Sequence, residues 1–99
     1  MSRHLLPREL TVRCAADTRR DLLSWVAGLT DAPVWRLDAS PVDEIDAAGV
    51  QLLLSLARSA TQAQAALRVE SPSPVLQHAC RTLGLSATLL DDTSEGSRA

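Results

Sequence analysis

Apolar and polar positions recur with two different periods along this chain, and the switches between them mark out its elements. The opening is extended: His4–Leu6 and Glu9–Val12 read as short strands broken at Pro7, whose missing N–H interrupts a ladder. From Ala15 to Gly28 the period becomes helical. Leu22, Val26 and Leu29 share one face with Leu23 at its flank, while Arg20, Asp21 and Ser24 lie opposite. Gly28 and Thr30-Asp31-Ala32-Pro33 stop that helix. Val34–Asp38 is a strand, followed by the turn Ala39-Ser40-Pro41 and a short apolar-acidic piece, Val42–Ile45.

A second helix is predicted from Ala47 to about Ala63, and Leu67–Glu70 is again strand-like, with β-branched and alternating character. Ser73 is placed to cap a third helix whose first residue is Pro74, where a missing N–H costs nothing. Val75, Leu76, Ala79, Cys80 and Leu83 form the apolar face of that helix, and Gly84 ends it. Ala87–Leu90 reads as a last strand. The order is ββ-α-β-α-β-α-β, which predicts an α/β fold: a mixed β-sheet with helices packed on it. Residues 1–91 are expected to form a single domain, and 92–99, rich in Ser and acidic residues, a disordered tail.

Composition narrows the chemistry more than the fold. The chain has 99 residues, enough for one core, and its only aromatic side chains from Phe, Tyr and Trp are Trp25 and Trp35. Both are expected to pack, Trp25 at the edge of the first helix's apolar stripe and Trp35 on the central strand. The net charge of −2, without a basic stripe interleaved with aromatics, argues against nucleic acid as a partner. All ten basic residues are Arg, so Walker-type, Schiff-base and receiver-domain lysines are excluded. Met1–Pro7 has no apolar stretch of signal-peptide or membrane-span length, so the expected location is cytoplasmic, with no membrane insertion. Cys14 and Cys80 have neither CxxC nor metal spacing and read as reduced, small hydrophobes.

No catalytic constellation is present. GxSxG, HExxH and Gly-rich loops are missing, and His78 and Cys80 point to different faces of one helix. Asp38, Asp43, Glu44 and Asp46 lack EF-hand spacing, so turn formation and capping account for them better than a metal. The chain is therefore read as a non-enzyme with no cofactor.

The most informative stretch runs from Leu37 to Leu54. Asp46 suits the N-cap of the second helix, because its carboxylate can accept from the free amides there. Ala47 would be the first helical residue. A strand ending in Asp, then a turn, then Ile45-Asp46-Ala47-Ala48-Gly49-Val50 at a helix start resembles the STAS family of sulfate-transporter and anti-sigma-antagonist domains. Ser71-Pro72-Ser73-Pro74-Val75 and Leu83-Gly84-Leu85 are similar to the start and end of that family's third helix, and the likeness runs from about Leu5 to Leu90.

The resemblance implies a protein-interaction domain. In anti-sigma antagonists of the family a Ser or Thr follows this Asp and is phosphorylated by the partner kinase. Ala47 stands at that position and has no hydroxyl. Ser40 and Ser55 are nearby, but neither matches the motif. A helical wheel at about 100° per residue puts Gly49, Leu53, Leu56, Ala57, Ala60 and Gln64 on the core side of the second helix, with Ala47, Gln51, Leu54 and Arg58 opposite and Ser55 adjoining. Asp46, Ala47, Ala48, Gln51, Leu54 and Arg58 are accordingly the expected partner-binding residues, with Leu54 as an apolar anchor on a wet face. Two partner classes follow from the resemblance. One is an anti-sigma factor, histidine kinase or chemotaxis-type signalling component. The other is the ATPase of a phospholipid-trafficking, Mla-type ABC transporter, whose accessory subunits usually carry Thr where Ala47 stands.

Overall fold

The computed structural model describes residues 3–29, 31–85 and 89–90. Its elements are β1 (Arg3–Leu5), β2 (Glu9–Leu10), α1 (Ala15–Ala27), β3 (Val34–Asp38), β4 (Glu44–Ile45), α2 (Ala47–Gln62), β5 (Ala66–Glu70) and α3 (Pro74–Thr82). The α/β class and the helix boundaries match the periodicity closely. Gly28 is the C-cap of α1, Asp46 the N-cap of α2, and Ser73 the N-cap of α3 with Pro74 at its first position. Gly84, with φ 72°, supplies the left-handed residue after α3 that other residues adopt at a cost.

The strands form a three-stranded sheet in the order β1-β3-β5 and a two-stranded one of β2 and β4. A mixed sheet was expected, but every described pairing is parallel. The reason is topological. Each step from β1 to β3 and from β3 to β5 passes through a helix, which brings the chain back to the end it left. The expected last strand, 87–90, is not seen where it can be judged: Leu89 N donates to Leu85 O at 2.9 Å, a helical bond. Residues 87 and 88, and the expected tail 92–99, lie outside the described residues.

The core lies between the larger sheet and the helices. Trp35 and Leu37 of β3 and Val69 of β5 point into it, meeting Leu22 of α1, Leu53 and Leu56 of α2, and Leu76 and Cys80 of α3, all buried. Burial of this aliphatic surface contributes most of the stabilisation, at about 25 cal/mol per Å². The opposite face of the sheet carries Arg3, Arg36 and Arg68 in one register row. There Glu70 accepts from Arg36 Nε at 2.7 Å and Arg3 Nη1 at 3.1 Å, and these guanidiniums hold its carboxyl below the usual range.

Two faces differ from the wheel. Val75 and Leu83 were expected on the core side of α3 but are 38% and 50% exposed. Leu83 is the C-cap, where the helical phase ends, and Val75 sits in the first turn beside the exposed Pro74. On α2, Gln64 lies past the helix with φ 60° and is exposed, whereas Val50 is fully buried. Val50 is covered because the first turns of α2 lie against β2 and β4 as well as the large sheet.

Candidate functional site

The start of α2 is built by one carboxylate acting on two chain segments. Asp46 Oδ1 accepts from Gly49 N at 3.1 Å, which caps the helix. Its Oδ2 accepts from Val12 N at 3.0 Å, which ties the β2–α1 turn to the same helix start. The Val12 amide, foremost, and the helix amides hold the Asp46 carboxyl below its ordinary value. The backbone closes the joint from the other side, as Asp46 N donates to Leu10 O at 3.2 Å.

Gly49 explains the fourth position of the Asp46-Ala47-Ala48-Gly49 motif. A Cβ there would stand 2.0 Å from Leu10 O and 2.8 Å from Leu10 C. The helix can rest on β2 only because this residue has no side chain. Asp46 and Gly49 are thus structural partners in one junction.

What the junction presents is a small exposed platform. The turn closed by Cys14 N to Thr11 O at 2.9 Å projects Val12, which is 69% exposed. Ala47 and Gln51 are exposed on the adjoining helix start, and Ala48 is half-buried. Thr11 is buried and donates its hydroxyl to Glu9 at 2.6 Å; the Arg13 guanidinium holds the same Glu9 oxygen at 2.7 Å. The turn under Val12 is therefore braced from both ends.

Of the expected partner-binding residues, Ala47, Gln51 and Arg58 share the exposed ridge of α2. Arg58 stands eleven residues along from Ala47, about 16 Å at 1.5 Å per residue, so it flanks the platform without belonging to it. Leu54 corrects the wheel reading. It is half-buried and packs against the edge of the core, and with Ala57 and Thr61 it lines an open apolar hollow on α2. Its position lies near the core boundary, and Val50 and Ala57 draw that flank inward. Val12 is the residue that sequence reasoning missed. A lone Val in an extended segment reads as strand, and nothing in its spacing marks it as a turn apex.

The other candidates have local roles. Asp38 Oδ1 accepts from Ser40 N at 3.0 Å and Ser40 Oγ at 2.8 Å, making a turn and lowering its carboxyl pKa. Asp43 Oδ2 takes two bonds from Arg8, at 3.1 and 2.6 Å. Among the described residues no group of three or more His, Cys, Asp or Glu could hold a metal ion. Cys14 and Cys80 are both free, and burial pushes the Cys80 thiol up. Trp35 is buried as expected; Trp25 is half-buried, stacked on His4 with ring centroids 5.2 Å apart. No helix of the described residues is long and apolar enough to cross a membrane.

A parallel-stranded α/β unit with a capped, close-packed second helix and an exposed platform at its start defines a binding module more readily than a catalyst. The family model described as "Mlab, STAS domain" matches residues 8–91, and the chain belongs to the STAS domain family. Members are regulatory or binding modules that commonly take protein partners and are generally non-enzymatic. Comparison with curated proteins and with solved structures gave no match.

Proposed function

We propose that this chain is a STAS adaptor that docks a signalling protein, such as an anti-sigma factor, a histidine kinase or a chemotaxis-type component, through the start of α2 and without a phosphorylation switch there. The observation that carries the reading is the exposed Ala47, set one residue after the capping Asp46 and beside the projecting Val12. In the family's switchable members a hydroxyl occupies that place; an alanine leaves no site for phosphate, so docking is constitutive. Small side chains at Ala47 and Ala48 let a partner backbone approach closely, and Gln51 offers a hydrogen bond at the rim.

A second reading is supported by the family description itself, which names Mlab. In that reading the same platform meets the ATPase of an Mla-type phospholipid-trafficking ABC transporter. Capture with the immobilised chain from a lysate of its source organism separates the two, since the retained protein is a signalling component in one and an ABC ATPase in the other. Retention unchanged in both Val12→Asp and Leu54→Asp variants that keep the wild-type fold would remove the α2 start from either account.

A further inference from the structure

We propose that the groove between α1 and α2 is a second docking site, built for an amphipathic helix with acidic residues beside its apolar stripe. It goes beyond the reading above, because it lies on another flank of α2 and uses none of Asp46, Ala47 or Val12. The groove encloses about 260 Å³ over a floor of Leu22, Leu52 and Leu56, with Leu23 at its lip 53% exposed. Past Ser59 and Gln62 it continues into a hollow over Val26 and Leu29 that Asp31 also lines, so acidic residues of a guest belong at the end bordered by Arg19 and Arg58. The trough is thus elongated and open along one side, as a groove for the side of a helix is.

Charge says what fills it. Arg3, Arg8, Arg13, Arg20 and Arg36 each sit in an ion pair with a carboxylate of this chain. Arg68 and Arg81 stand apart from one another without such a pair, whereas Arg19 and Arg58, one on each helix, border this one groove, and no carboxylate of the described residues pairs with either. Arg58 Nη2 donates to Ser55 Oγ at 3.5 Å, but neither guanidinium is neutralised by a carboxylate, and in a chain of net charge −2 two such charges beside one leucine-lined trough favour an anionic, apolar guest. Ser55 and Ser59 on the rim are short enough for a helix backbone to approach and can donate to it.

The test uses two synthetic helical peptides of equal length and leucine spacing, one with glutamates flanking the stripe and one with lysines. Each is titrated into the full, isotope-labelled chain while backbone amides are followed by NMR. The glutamate peptide is expected to bind at least about tenfold more tightly and to shift the amides of Arg19, Leu23, Leu52 and Ser55. An Arg19→Glu/Arg58→Glu double variant, both positions being exposed, keeps the fold, with amide shifts changed only around the two substitutions, and reverses the preference. Equal binding of both peptides, binding of neither, or shifts centred away from the groove would overturn the proposal. So would movement of the same amides on raising the protein concentration alone, which would assign the groove to a second copy.

Discussion

The starts of α2 and α3 use the same device to opposite ends. Each helix is capped by a side-chain oxygen accepting from the amide three residues on, Asp46 from Gly49 at 3.1 Å and Ser73 from Leu76 at 3.2 Å. Around Ser73 the inner side is sealed, although Pro74 and Val75 stay exposed on the outer side. The serine is buried, Leu76 is fully buried, and Gln77 Nε2 closes the entry by donating to Pro72 O at 2.8 Å. Around Asp46 the second carboxylate oxygen reaches a distant segment, Gly49 rests on Leu10, and the surface above stays open. A serine hydroxyl serves one amide of its own helix; a carboxylate has a second oxygen with which to hold a neighbour. The difference separates a helix start that only folds from one that assembles a surface.

Substitutions at the two starts break this contrast in order of size. Leu76→Ala leaves a cavity at the sealed end and is expected to cost about 3–4 kcal/mol in urea unfolding, with the docking platform intact. Gly49→Ala forces a Cβ against Leu10 O and is expected to cost about 2–3 kcal/mol, and unlike Leu76→Ala it displaces the platform and weakens partner capture. Ser73→Ala removes one cap and strands the Leu76 amide, for about 1 kcal/mol. A loss of capture in Ser73→Ala equal to that in Gly49→Ala would erase the distinction between the two ends.

The smallest effect is in pH. The Asp46 carboxyl titrates below its ordinary value of 3.8, so the folded chain binds fewer protons there than the unfolded chain. Its contribution is complete above that value and is lost as pH falls through the lowered one. Asp46→Asn keeps a capping oxygen but removes the titration, so its acid unfolding curve below pH 3.8 should be flatter than that of wild type. Identical curves would show that the Val12 bond does not depend on the charge.

Much of this was legible in the chain. The capping residues and terminal glycines set the helix ends because their chemistry is local: Asp46, Ser73, Gly28 and Gly84 each act within a few residues of themselves. What depended on distant neighbours was not. Helical phase places Leu54 on the wet side and Val50 off the core side, yet packing against β2 and β4 buries Val50, and Leu54 is half-buried. Val12 is projected by a local turn, but that turn is fixed beside the start of α2 only by a bond to a residue thirty-four positions away. The Asp-x-x-Gly spacing pointed to the site, but that Gly49 is required by Leu10 emerges only when the two segments meet.

In the proposed function the α2 start docks its partner constitutively, with Ala47 in close contact. The most direct measurement is the affinity of the captured partner for the wild-type chain and for Ala47→Asp, by isothermal titration, with the fold of the variant verified by its amide spectrum. A carboxylate at this exposed position cannot disturb the core, but it places an uncompensated charge in the contact. A loss of at least about tenfold is expected for Ala47→Asp. Equal affinity of the two chains would contradict it.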